Sequence, residues 1–366
     1  YSLWPEKFNN KTNGVTPRRW IVACNPNLAK LITDAIGRRW IADLDLIWEL
    51  EAFQGDPGFL EKYRAVKQAN KKSLAEYIKH TVSETVDTSS IFDIQAKRIH
   101  EYKRQLLNIL HIIHLYLSVK EENRDIGSPR TFIFAGKAAP GYHTAKLIIK
   151  LIHNVADVVN TDPAVNRQLK VVFLPDYRVS LAERLIPAAD VSEQISTAGM
   201  EASGTGNMKF AMNGALTIGT MDGANIEILE HVGEENMYIF GLNVDEVAAL
   251  RPHYQPRDYL EKDDRLRQVI YALRSDRFSQ SEHGIFRPLF NILMSPGDQY
   301  LNFADFGAYT AAQEAIARDF QQPDRWSARA LMNTARTGYF SSDRTIKAYA
   351  EDIWGIKTQI QEKDLW

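Results

Sequence analysis

Apolar positions change their period twice along the chain. Between Arg18 and Tyr77 they recur at helical spacing, with Leu28, Leu31 and Ile32 on one face and Ile41, Leu44, Leu46, Ile47 and Leu50 on another. From about Ser90 the pattern becomes short apolar runs, each followed by a longer helical stretch. The runs 90–94, 131–135, 170–174, 190–195, 215–219 and 237–240 predict strands, and 101–118, 141–158, 181–186, 206–213 and 224–230 predict helices between them. This alternation predicts an α/β fold, a doubly wound parallel, Rossmann-like sheet whose ligands sit beyond the carboxyl ends of the strands. After Gly241 the pattern is helical again, broken by Pro252 and Pro256 and resuming in the aromatic-rich stretch 300–320. Residues 1–16 are polar and turn-rich and read as an extended or looped crossing segment. At the other end, Ser342 and Asp343 are expected to cap a helix of about four turns.

Composition narrows the class without naming a function. With 366 residues, 45% hydrophobic and 25% charged, the chain reads as a soluble globular protein of one large or two modest domains. Its 44 basic and 46 acidic residues, net −2, give no overall attraction to nucleic acid or to an acidic membrane. The longest apolar stretch, Leu106 to Val119, is too short to span a bilayer and is interrupted by Asn108, His111 and His114; no signal peptide is visible. The single cysteine, Cys24, excludes an internal disulfide, fits a reducing cytosol and reads as a buried small side chain. The nine histidines lack metal-ligand spacing, so no metal site is expected, and His100 reads as structural. The chain opens in mid-motif without a methionine and reads as part of a longer polypeptide.

The chemistry concentrates in Gly199 to Glu227, GMEASGTGNMKFAMNGALTIGTMDGANIE. Gly204 and Gly206 let backbone amides approach an anion at the start of a helix, and Lys209 lies in its first turn. Such a lysine is either a plain phosphate ligand or the Schiff-base partner of an aldehyde cofactor that carries its own phosphate. A dinucleotide fingerprint is rejected because Lys209 occupies the place of its third small residue. GKAAPG, from Gly136 to Gly141, is no nucleotide P-loop, since Tyr142 and His143 stand where Lys and Ser or Thr are needed; its glycines and Pro140 instead shape a tight turn. KRIHEYKRQ puts Lys97, Arg98, Lys103 and Arg104 where the first strand's loop enters a helix, either a phosphate site or a solvated basic helix start. Glu201 sits in a glycine-rich turn without a second carboxylate as partner, which argues against a glycosidase.

EASGTGNMKF and the following NGALTIGTMDGANIE closely resemble the pyridoxal phosphate site of the α-glucan (glycogen, starch and maltodextrin) phosphorylases. TNGVTPRRW, KRIHEYKRQ, GKAAPGY and FLPDYRVS stand in that family's order. The resemblance covers nearly the whole chain but only the C-terminal half of the family's polypeptide. It implies the C-terminal domain of a two-domain, GT-B-type glycosyltransferase: residues 1–17 crossing from an N-terminal domain, 18–341 the catalytic domain with the cofactor site, and 342–366 a helix reaching back. It implies pyridoxal 5′-phosphate in a Schiff base on Lys209, with Lys97 on the cofactor phosphate, Thr205 and Gly206 beside it, and Tyr177 and Trp20 bordering the ring. Arg98 and Lys103 would hold the substrate phosphate, and Lys209, Arg98 and Lys103 are the catalytic candidates. Asn13, Glu201, Ser203 and Gly204 would bind glucose.

The implied reaction is phosphorolysis of non-reducing-end glucosyl units to α-D-glucose 1-phosphate with retention, the cofactor's phosphate acting as acid and base. The implied partners are α-1,4-glucan, inorganic phosphate or glucose 1-phosphate, the enzyme's N-terminal half and a second copy in a homodimer, in the cytoplasm, with neither nucleic acid nor membrane. The chain alone is expected to be inactive. A nucleotide-sugar glycosyltransferase of the same architecture and a non-catalytic cofactor-binding half-domain are the alternatives.

Overall fold

The computed structural model describes residues 2–294 and 297–357. Its centre is one parallel sheet of β1 (Ile91–Ala96), β2 (Arg130–Ala135), β3 (Leu169–Leu174), β4 (Val191–Gln194), β5 (Leu216–Gly219) and β6 (Tyr238–Ile239), in the order β3-β2-β1-β4-β5-β6. All six predicted strands are present. Every residue of β1, β2, β4 and β5 is buried, as expected of a parallel sheet covered on both faces.

The helices are α1 (Pro26–Ile36), α2 (Pro57–Val82), α3 (Gln105–Glu122), α4 (His143–Thr161), α5 (Val179–Ala188), α6 (Gly206–Met212) and α7 (Asn225–Val232). Beyond the sheet come α8 (Val244–Leu250), α9 (Pro256–Lys262), α10 (Asp264–Arg274), α11 (Arg287–Met294), α12 (Asn302–Phe320), α13 (Pro323–Ala335) and α14 (Ser342–Tyr349). Strand order reverses between β1 and β4, so right-handed crossovers place α3 and α4 on one face and α5 and α6 on the other. Against α3 pack α10 and α12; α2 and α13 pack on the side of α5 and α6. Burial of α3 is nearly complete from Gln105 to Val119, so the polar residues that interrupt its apolar run are core residues. Asn108 among them donates to Gln95 Oε1 at 3.0 Å. No described helix is long and apolar enough to cross a membrane.

Two lysines of α2, the buried Lys71 and the half-buried Lys67, tie it to the sheet's amino end. Lys71 pairs with Asp190 at 2.5 Å, and Asp190 also accepts the Phe92 amide at 2.8 Å, joining α2 to the starts of β1 and β4. Lys67 donates to the carbonyls of Pro187, Ala189 and Asn213, and burial pushes its ammonium down to about 8. Charged groups this deep are tolerated only because each finds its partners.

Three details depart from the sequence reading. The predicted helix 101–118 is broken at its start: Glu101–Lys103 is a 3-10 turn and Arg104 is left-handed (φ 55°), so α3 begins at Gln105. The C-terminal helix is capped by Ser341, whose side chain accepts from the Asp343 amide, while Asp343 forms a two-bonded pair with Arg18 at 2.6 and 2.7 Å. That helix continues as a π-turn to Trp354 and ends at the left-handed Gly355 (φ 63°), close to the expected four turns; 358–366 lie outside the described residues. Cys24 is only half-buried. Residues 11–18 knit to this terminal helix: Val15 bridges Ser341, Arg344 donates to Thr12 O at 2.7 Å, and Lys11 pairs with Asp352 at 2.6 Å.

Candidate functional site

The chain reverses its winding between β1 and β4, which opens a crevice beyond the carboxyl ends of those strands. Lys97 follows β1 directly, and Gln194 ends β4; Lys97 Nζ donates to Gln194 Oε1 at 2.7 Å. One cleft there is lined by Lys97 and Lys103 together with Glu201, Ser203 and Gly204. These five predicted residues come from two distant segments, and the fold brings them together. Asn13 joins at the rim, its amide donating to Ser203 Oγ at 3.1 Å. Beside it, Thr12 Oγ1 donates to Glu227 of α7 at 3.2 Å, so the N-terminal segment is fastened both at the cleft's rim and to α7.

The two lysines of the cleft differ in their pairing. Lys103 is paired with the Glu201 carboxylate, which also accepts from Tyr102 OH at 3.0 Å. Burial pushes the Glu201 carboxyl up, but the hydrogen bond and charge of Lys103 outweigh it and hold the group below its ordinary range. Lys97 pairs with no carboxylate among the described residues. Burial, and then repulsion from Lys103, push its ammonium down to about 7. Of the two carboxylates that line the cleft, Glu201 pairs with Lys103 and Asp222 is taken up by Ser196 and the Gly199 and Glu201 amides, so an anion placed beside Lys97 would return it to its charged form.

Lys209 belongs to a separate but adjacent place. It projects from α6, and its Nζ lies 4.1 Å from the centre of the Trp20 ring, a cation–π contact. Burial alone holds its amine below the ordinary lysine value. At the start of α6, Gly204 is left-handed (φ 76°), whereas a Cβ at Gly206 would meet nothing within 4 Å. The open space at Gly206, Lys209's amine and Trp20's ring together fit a planar aldehyde with an anionic arm. Thr205 is the residue before α6; its side chain forms no cap bond, and its carbonyl accepts the Lys209 amide at 3.4 Å.

Other predicted residues stand apart. Arg98 is exposed and its guanidinium pairs with no described residue, while its carbonyl accepts from Gln105 at 3.1 Å. Tyr177 is half-buried past the end of β3 and packs on the core, with no ring contact to Lys209 among the described residues. Arg104, one of the four cations read from the sequence as either a phosphate site or a solvated basic helix start, is fully buried. It donates to Ile195 O at 2.7 Å and to Asp305 at 2.6 Å, on the protein side of its loop. The left-handed backbone at Arg104 (φ 55°), directly after the 3-10 turn, turns it inward. The His100 Nδ1 accepts the Tyr102 amide, and its ring packs against Tyr102 and Tyr142. Gly136 is required by contact, since a Cβ there would lie 2.2 Å from the Lys97 carbonyl. No group of three potential metal ligands occurs among the described residues.

Sequence reasoning assigned no role to Tyr102, Gln194, Asn207, Asp222 and Asn225. Asn207 Nδ2 donates to Asn225 Oδ1, and Asn225 donates to the carbonyls of Gln194 and Thr220, all at 3.0 Å, so α6 is pinned to the ends of β4 and β5. The Asp-Gly turn signal at Asp222 and Gly223 was the one local clue to this support.

The sequence profile of the carbohydrate phosphorylases matches residues 1–356. The chain is 56% identical to a glycogen phosphorylase of Synechocystis over 99% of this chain and 43% of that protein. It is 52% identical to a glycogen phosphorylase of Bacillus subtilis, over 97% of this chain and 45% of the relative. To the liver form of human glycogen phosphorylase it is 51% identical, over 97% and 42%. The chain therefore spans less than half the length of these relatives.

Proposed function

Because the chain belongs to the carbohydrate phosphorylase family, we propose that it is the phosphate- and cofactor-binding part of an α-1,4-glucan phosphorylase. The enzyme would use inorganic phosphate to release non-reducing-end glucosyl units as α-D-glucose 1-phosphate with retention. The observation that carries this reading is the meeting of Lys97 and Lys103 with Glu201, Ser203 and Gly204 in one cleft at the reversal of the sheet. Lys103 from the cleft and the exposed Arg98 hold the substrate phosphate. Glu201, Ser203, the Gly204 amide and Asn13 then face the sugar, the carboxylate accepting from a hydroxyl. A phosphate dianion held there stabilises positive charge developing at the sugar's anomeric carbon.

The residues present fit pyridoxal 5′-phosphate. Lys209 would hold the aldehyde, Trp20 would cover the ring, Tyr177 would border it less closely, and Lys97, Thr205 and Gly206 would hold the phosphate. When bound, that group supplies a second phosphate next to the substrate's, with which a proton can be shared. Lys97 and Lys103 offset the repulsion between two such anions.

The knitted ends support a division into a crossing segment (1–17), a catalytic domain (18–341) and a returning helix (342–366). The rest of the enzyme, a glucan, phosphate and a second copy are the partners of this reading, in a cytosolic setting; the present chain by itself would bind without turnover. The test is incubation with pyridoxal phosphate, borohydride reduction and peptide mapping by mass spectrometry. Modification confined to Lys209 is expected. Scattered or absent modification, or tight binding of a nucleoside diphosphate sugar in its place, would reject the reading.

A further inference from the structure

We propose that Asp222 is the positioning residue that sets the substrate geometry of the Gly199–Gly204 loop; this rests on the reading of that loop as the glucosyl phosphate site. The loop carries Glu201 and Ser203 and has no regular secondary structure. One side chain takes two of its backbone amides. Asp222 Oδ1 accepts the Gly199 amide at 2.9 Å; Oδ2 accepts the Glu201 amide at 2.9 Å and Ser196 Oγ at 2.6 Å. Only 4% of Asp222 is exposed, so its charge is balanced by these donors and not by water.

The next two residues complete the support. The Ala224 amide donates to Ser203 O at 2.7 Å. Gly223 is left-handed (φ 53°), and a Cβ there would lie 2.5 Å from Ser203 O and 3.0 Å from Glu201 O. Asp222 therefore holds the loop's amides while Gly223 and Ala224 seat its carbonyls. Glu201 is fixed from both ends, by Asp222 at its backbone and by Lys103 at its carboxylate. Moving the backbone end shifts the sugar-facing carboxylate and its ammonium partner together.

A carboxylate is the side chain this position demands, because both oxygens accept. In Asp222→Asn, the amide NH2 must face either the Gly199 amide or the pair formed by the Glu201 amide and Ser196, a clash of donors in a buried place. Ser196→Ala is milder, since it removes one donor and leaves both amides bound.

The experiment is calorimetric titration of α-glucose 1-phosphate into the pyridoxal-phosphate-loaded chain. Lys209 labelling, melting temperature and amide deuterium exchange are followed in parallel. Asp222→Asn is expected to weaken binding about tenfold or more, Ser196→Ala to weaken it less, and neither to change labelling at Lys209. Faster exchange confined to 199–204 should accompany the loss. Wild-type affinity in Asp222→Asn would overturn the proposal, as would a loss of binding, labelling and melting temperature together, which marks a folding role alone. If no form binds glucose 1-phosphate, the reading of the loop as a sugar phosphate site has failed. Exchange then decides the rest: faster exchange in Asp222→Asn sustains Asp222 as the loop's organiser, and unchanged exchange overturns it.

Discussion

Arg104 and Asp305 form an ion pair of 2.6 Å with side chains 0% and 2% exposed. Arg104 directly follows Lys103, yet the two cations do opposite work. Lys103 faces the cleft, whereas Arg104 grips Ile195 O and Ser196 O and joins the end of β4 to α12 through Asp305. Asp305 in turn accepts the Leu242 amide at 2.9 Å, which fastens the segment after β6 to the same point. Asp305→Ala leaves a guanidinium buried without its counter-charge and is expected to cost about 3–5 kcal/mol. Urea unfolding measures this; a loss below about 1 kcal/mol, typical of an exposed pair, would show that the pair is not the tie described.

Lys97 makes anion binding pH-dependent. Burial, then Lys103, push it down to about 7, so from there up to the ordinary lysine range the unfolded chain holds a proton that the folded chain lacks. The unfolded state binding more protons means that stability from this group rises with pH across that window and falls as pH drops towards 7. A phosphate dianion beside Lys97 restores its charge. Titration of phosphate at pH 8 in buffers of different ionisation enthalpy should therefore report uptake of about one proton, absent in Lys97→Met. Equal proton uptake by both proteins would place the coupling elsewhere.

Lys209 has no carboxylate partner among the described residues, and its amine is desolvated against Trp20. Lys209→Ala should abolish borohydride-fixed pyridoxal while leaving the melting temperature equal or higher, since an uncompensated half-buried charge is removed. Labelling that persists at another lysine would contradict the assignment.

Gly136→Ala puts a methyl group 2.2 Å from the Lys97 carbonyl, a contact that backbone on both sides cannot relieve by a rotamer change. The end of β1 must shift, so phosphate affinity is expected to fall about tenfold or more, with stability lowered by about 1–3 kcal/mol. Parallel titration and thermal melts check both; an unchanged affinity would mean that Lys97 does not depend on that contact.

Arg98 is exposed and unpaired among the described residues, so Arg98→Ala should leave stability within about 0.5 kcal/mol. In the enzyme restored to its relatives' length, turnover should fall far more than pyridoxal retention does. Equal loss of both would refute a role on the substrate phosphate.

Sheet and crossovers were legible because their signal is local: a strand buried on both faces reads as an apolar run, and six such runs between helical stretches leave few topologies. The glycines and the one lysine of 199–227, the basic motif at 97–104 and the turn at 136–141 were legible for the same reason, each being a short run of residue types with one chemistry. Which cation faces the ligand was not. Lys103 and Arg104 are neighbours of like charge, and only the left-handed turn at Arg104 and a carboxylate 201 positions away decide that one lines the cleft and the other the core. Asp222 was equally silent, because its partners are backbone amides, which every sequence supplies and only the fold aims. The sequence determined the elements and the inventory of reactive groups; tertiary structure decided orientation, burial and therefore charge. That division follows from range: periodicity acts over a few residues, while desolvation and ion pairing depend on what distant segments bring alongside.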